Sequence, residues 1–207
     1  MPDRVTILHL GEGESRQAWK EALADRPWES GTLIKKDGER AVWRANVLGS
    51  TVAAKVRPAE PLRTLVAGNE FTRHLAAARR LERAGVETAS IFFLGRTGST
   101  DVLITEWLEG PTLLESLSNA SGDRRTVLFR SACALICRPL AAGLFNPDHQ
   151  PSHLILLSLS GPPLALIDIA GVRRPAFSTS STFVSLRASL FASILIDPLS
   201  VVVVFPP

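Results

Sequence analysis

Cysteine is almost absent from this chain of 207 residues, which holds only Cys133 and Cys137. That scarcity argues against a disulfide-stapled secreted scaffold and for a reducing compartment. Lysine is nearly as rare. Of 23 basic side chains only Lys20, Lys35, Lys36 and Lys55 are lysines, and the rest are arginine. A lysine inside an apolar strand therefore stands out. Strong charge of one sign is missing too: the formal net charge is +3, too mild to imply nucleic acid, and no aromatic platform for stacked bases accompanies it. The start, MPDRVTILHLGEGE, has too short an apolar stretch and too many carboxylates for a signal peptide. A cytoplasmic protein is expected. Residues 175–207 carry only Arg187 and Asp197 as charges. With Pro198, these two break any apolar run before it reaches the roughly 20 residues of a membrane span.

What is present describes a globular chain. Hydrophobic residues make up 45% and charged residues 21%, enough apolar surface for one ordinary domain or two small lobes. Cys133 and Cys137 stand four apart in the apolar run SACALIC, hence on one helical face. Without a neighbouring histidine they make a poor metal site, and burial in the core is expected.

Along the chain, residues 4–10 read as a strand and Ser15 to Ala24 as an amphipathic helix. From Gly31 to Pro58, β-prone runs separated by Asp37-Gly38 and Gly49-Ser50 predict a three-stranded antiparallel meander. Residues 63–84 have helical spacing, closed by Gly85. Two more strands follow, SIFFLGR and DVLITEWL, joined at Thr97-Gly98-Ser99. Beyond Glu109-Gly110-Pro111 come a helical region over 113–143, a Pro-punctuated loop, and the short strands LILLSL and LALIDIA around Gly161-Pro162-Pro163. The order predicts an α+β chain, with a β-rich lobe followed by a helical one.

Four features carry chemistry. Lys55 lies in TVAAKV, an apolar strand from which its ammonium must find a partner or reach water along an edge. Glu70, fifteen residues on, is a carboxylate able to pair with it, or a solvated helix-surface glutamate. Asp148 in LFNPDHQPSHLILL can accept or orient a hydroxyl, or close an Asx turn. His153, five residues later, can ligate a metal, although imidazole is a less usual partner than oxygen for hard Mg²⁺. Asp168 ends the apolar strand LALID, twenty residues after Asp148, as a metal ligand or a solvated strand-end carboxylate.

In this order and spacing the four features resemble the protein-kinase-like fold. VAAK is similar to V-A-I-K, Asp148 to His153 to the catalytic loop, and Asp168 to the aspartate of D-F-G. Residues 31–174 look most like the bacterial lipopolysaccharide core heptose and Kdo kinases. That resemblance rests on histidine at 153, on IDIAGVRR, on the degenerate hairpin KKDGER and on the hinge-like TEWLEGPTL. It implies a two-lobed fold with a truncated-looking helical lobe. It also implies transfer of the ATP γ-phosphate to a sugar hydroxyl of lipopolysaccharide core, with ATP and Mg²⁺ as cofactors. Asp148 would be catalytic, Lys55 and Glu70 would serve the phosphates, Glu106 and Trp107 would lie beside the adenine, and His153 and Asp168 would hold the metal. The expected partition is an extension over 1–30, an N-lobe over 31–108, a partial C-lobe over 109–174 and an atypical tail over 175–207.

Two departures from that pattern are evident. Asn146-Pro147 stands where the family has His-Arg, and the nearly uncharged tail replaces expected charged helices, as a replaced or frame-shifted end would. A catalytically impaired binding module is therefore one alternative, and an aminoglycoside- or choline-type phosphotransferase another. The early HLGEGESRQAW hints at a dinucleotide fold, but Arg16 takes the place of the third glycine, and Glu12 and Glu14 would repel a pyrophosphate. The pairs Arg79-Arg80, Arg124-Arg125 and Arg173-Arg174 are solvated faces or contacts to phosphorylated sugar or anionic lipid at the inner membrane surface.

Overall fold

A computed structural model describes residues 3–59, 69–146, 150–157 and 164–174. Asp148 and the tail over 175–207 lie outside the described residues. So do the first part of the helix expected over 63–84 and the Gly161-Pro162-Pro163 turn. The chain divides into two compact units, one of residues 1–75 and 89–108, the other of 76–88 and 109–207.

The first unit is built on a six-stranded antiparallel sheet. Its strands are β1 (Val5–Leu10), β2 (Thr32–Asp37), β3 (Arg40–Val47), β4 (Ser50–Pro58), β5 (Ile91–Thr97) and β6 (Thr100–Glu106), in the spatial order β1-β5-β6-β4-β3-β2. The meander expected from Gly31 to Pro58 is β2-β3-β4. Its turns sit one residue off the reading from sequence, with Gly38-Glu39 and Leu48-Gly49 at the tips, because Asp37 pairs with Arg40 and Val47 with Ser50. β1, expected within a separate extension, is an edge strand of the same sheet, paired with β5. Helix α1 (Arg16–Ala24), capped by the Ser15 hydroxyl, buries Trp19 and Leu23, and the following 3₁₀ turn (Pro27–Ser30) buries Trp28. These three cover one sheet face over Val52, Ala54, Phe93, Val102 and Ile104, with the Trp19 and Phe93 rings 5.6 Å apart. The first thirty residues thus supply core.

The opposite face is covered by the start of helix α2 (Glu70–Arg83), whose Phe71 and Leu75 lie against Ile91, Leu94 and Leu103. The same helix ends in the second unit in a Schellman motif. Gly85, at φ 67°, donates to Glu82 O at 2.9 Å, and Val86 donates to Leu81 O at 3.0 Å. Leu81 and Val86 are both buried in the second core.

That second core is assembled by α3 (Leu113–Asn119), α4 (Gly122–Ala141) and a two-stranded ribbon of β7 (Leu154–Leu156) and β8 (Leu164–Leu166). Leu113, Leu128, Ala132, Ile136, Leu154, Leu166 and Ile169 fill it. A full capping box opens α3: Thr112 Oγ1 accepts from Glu115 N at 3.1 Å, while the Glu115 carboxylate accepts from Thr112 N at 2.8 Å.

The cysteines depart from expectation. α4 buries Leu128, Ala132, Leu135, Ile136, Pro139 and Leu140. That stripe leaves Cys133 half-buried at its flank and Cys137 exposed. Burial, and then the neighbouring Cys137, push the Cys133 thiol above its ordinary range. At mildly alkaline pH, iodoacetamide should therefore modify Cys137 first, with Cys133 lagging and catching up as pH rises; peptide mass mapping over time reads the order. A second prediction concerns Gly110, at φ 150°, where an added Cβ would lie 2.0 Å from Leu156 O. This close approach lets Leu156 N donate to Pro111 O at 3.0 Å. Gly110→Ala should lower stability by about 1–3 kcal/mol in urea denaturation, whereas Thr112→Ala should cost about 1 kcal/mol.

Candidate active site

Lys55 lies on β4, an interior strand flanked by β3 and β6, opposite Val42 and Leu103. The edge-strand alternative is thereby removed. Alternation along β4 sends Val52, Ala54 and Val56 into the core beneath α1, so Ala53, Lys55 and Arg57 face the side covered by α2. Lys55 is half-buried there, beside Leu103.

Glu70 opens α2 on that same side. Its Oε2 lies 3.4 Å from Arg57 Nη1 and 3.4 Å from Arg40 Nη1. Among the described residues the ion-pair partners of Glu70 are two arginines that the sequence reading passed over. Arg57 is the more deeply set, with its side chain 10% exposed. Its Nη2 donates to Asn69 Oδ1 at 2.9 Å and approaches Asp101 Oδ2 at 3.4 Å, and its guanidinium lies 5.1 Å from the Phe71 ring centroid. Asn69 is the cap of α2: its Oδ1 also accepts from Phe71 N at 2.8 Å, and its Nδ2 donates to Asp101 Oδ2 at 3.0 Å. Arg96 Nε donates to the other Asp101 oxygen at 2.9 Å. The signal in the sequence was Arg57 itself, two residues past Lys55 and so on the same strand face.

Glu106 and Trp107 follow the end of β6. The Glu106 carboxylate accepts from Ser90 Oγ at 2.9 Å and Ser90 N at 3.3 Å, and Glu106 N donates to Ser90 O at 2.8 Å. Trp107 N donates to Thr51 O at 3.3 Å, and the Arg44 guanidinium sits 5.0 Å from the Trp107 ring centroid. The backbone of this segment is therefore tied to both flanking strands.

His153 and Asp168 belong to the second unit. Leu154 pairs with Leu166 in the ribbon, and just outside that pair Ile167 N donates to His153 O at 2.8 Å. His153 and Asp168 therefore leave the same open end of the ribbon. Asp168 has φ 55°, one of three left-handed non-glycine positions among the described residues, with Arg26 and Leu48. Aspartate is among the side chains that tolerate this region, and such conformations gather at functional sites. No spacing rule reveals it from sequence. Asp148 lies outside the described residues. Among the described residues no group of three or more His, Cys, Asp or Glu side chains is placed to hold a metal ion. The Asp168 carboxylate is the hard oxygen donor that Mg²⁺ takes, and Lys55 is a compact cation suited to phosphate oxygens, so the donor types fit Mg²⁺–ATP.

A six-stranded antiparallel sheet with a helix on its second face, followed by a helical unit with a short ribbon, defines an α+β protein-kinase-like fold. Among solved structures the chain is similar to WaaP in complex with acyl carrier protein. The TM-score is 0.61 at 22% identity, covering 91% of this chain and 81% of that one. Neither a protein-family model nor a curated protein sequence matches the chain.

The buried cluster is open to direct test. Asp101→Ala would remove the buried carboxylate, 2% exposed, that Arg57, Arg96 and Asn69 share. Stability measured by chemical denaturation should fall by about 3–5 kcal/mol, with a much smaller loss for Arg40→Ala, whose side chain is 51% exposed.

Proposed function

We propose that the protein is an ATP-dependent kinase of the lipopolysaccharide kinase type, transferring the γ-phosphate to a sugar hydroxyl of lipopolysaccharide core. The observation that carries this reading is Asp168, held left-handed at the ribbon mouth beside His153, in a chain whose fold is similar to WaaP, a lipopolysaccharide core heptose kinase. Lys55 on its interior strand would hold the nucleotide phosphates. Glu70, braced by Arg57 and Arg40, would act as the acidic neighbour of that lysine's strand. Glu106 and Trp107 would border the adenine. Asp148 would orient the acceptor hydroxyl, and Asp168 with His153 would hold Mg²⁺, which when bound neutralises charge on the phosphates. No described helix is long and apolar enough to cross a membrane. Work at the cytoplasmic side, with peripheral contact to the inner membrane, is consistent with a lipid-linked sugar acceptor.

Asn146-Pro147 ahead of Asp148 favours a second reading, a kinase-like module that binds nucleotide without transferring it. Calorimetry of Mg²⁺–ATP with the whole chain and with Asp168→Asn tests both. Asparagine tolerates the left-handed backbone, so the change removes charge with little added strain. Metal-dependent binding that is lost in Asp168→Asn is expected. A folded chain that binds no nucleotide would overturn either reading. With a lipopolysaccharide-core acceptor, Lys55→Met should lower the transfer rate on the order of 10²-fold or more while the unfolding midpoint stays close to that of the parent. Tight nucleotide binding with no transfer would select the second reading.

A further inference from the structure

Within the second unit, the last turn of α2 and the end of α4 border a concavity lined by Arg80, Arg83, Ala84, Ala142, Leu144 and Arg174. Its volume is about 120 Å³, well below the roughly 300–1,000 Å³ of pockets that take whole drug-sized ligands. Three arginines and three apolar side chains make up this lining. Among the described residues no carboxylate lines it, and Arg80, Arg83, Arg138 and Arg174 take part in no ion pair.

Service to helix ends accounts for only part of this charge. The C-terminus of a helix carries about half a negative charge, so α2 and α4 together offer roughly one against four arginines. Arg138 Nη1 donates to Gly85 O at 3.3 Å, and Arg80 Nη1 reaches Val172 O at 3.5 Å. Of these, Arg138 answers a carbonyl at the end of α2, and Arg80 answers one in the stretch after β8. Arg83 and Arg174 line the concavity with no acidic counterpart among the described residues. Arg174 is also fixed in place: its neighbour Arg173 exchanges two backbone hydrogen bonds of 2.8 Å with Phe145, the residue after the lining Leu144. Several arginines lining one small recess suit one kind of guest, a compact oxyanion with several acceptor oxygens.

We infer that this concavity binds the phosphoryl group of a phosphorylated ligand, carried either by a soluble sugar phosphate or by the headgroup of an anionic lipid. The inference uses none of the residues assigned to phosphoryl transfer. Calorimetry with inorganic phosphate and with a hexose 6-phosphate forms one arm of the test. Co-sedimentation with vesicles of phosphatidylglycerol, against phosphatidylcholine, forms the other. Both arms compare the full chain with Arg83→Gln/Arg174→Gln and with Arg124→Gln/Arg125→Gln, which removes the same charge at the start of α4. Binding in at least one arm is expected, weakened about tenfold or more by the pocket pair and unchanged by the control pair. Signal in the first arm alone assigns a soluble phosphate, and signal in the vesicle arm alone assigns a lipid headgroup. Equal weakening by the two pairs reduces the effect to net charge and overturns the inference, as does absence of binding in both arms. Mg²⁺–ATP binding recorded on the same samples keeps failure here separate from failure of the kinase reading.

Discussion

The first unit depends on how the charge of one buried guanidinium is answered. Arg57 leaves an interior strand on the same face as Lys55, where exposure to water is too small to solvate it. Its charge is answered by Asp101 from β6, by Asn69 from the approach to α2, and by Glu70 from the first turn of that helix. Because Asn69 also caps α2, a side chain that accepts from the buried guanidinium starts the helix. The position of α2 over the sheet, and with it the seating of Phe71 and Leu75 on Leu94 and Leu103, follows from that shared side chain.

This arrangement bears on the candidate chemistry through rigidity. A phosphate-gripping lysine works only if its strand and its acidic neighbour keep a fixed geometry. Lys55 is bordered by strands on both sides, and Glu70 is braced by two arginines rather than left on a solvated helix surface. Arg57 anchors the helix that carries Glu70. In the second unit, the ribbon performs the parallel task. Its pairing fixes where His153 and Asp168 emerge, and the left-handed backbone at Asp168 is tolerated because Leu166 and Ile169 on either side are buried in the core.

The likeness to WaaP sits at 22% identity, a level at which a fold persists while residue roles drift. Asn146-Pro147 and the sparsely charged residues 175–207 are features of this chain's own sequence. A fold, however, does not fix its chemistry. For that reason the functional reading leans on Lys55, Asp168 and His153 individually and takes the architecture as their setting.

The sequence by itself determined the local elements. Strand alternation and glycine at the turns marked the β2-β3-β4 meander and the β5-β6 hairpin, and Gly85 marked the end of α2, because these signals act over two to six residues. It also isolated Lys55, His153 and Asp168 as polar groups in or beside apolar strands. Tertiary structure alone decided the rest. It joined β1 to β5 across some ninety residues of chain, turned Cys133 and Cys137 away from the buried stripe of α4, and assigned Glu70 to Arg57 and Arg40. It also gathered arginines from α2 and the stretch after β8 around one recess. Each of these depends on which distant side chain arrives to share a burial or a charge, and nearest-neighbour spacing carries no record of that.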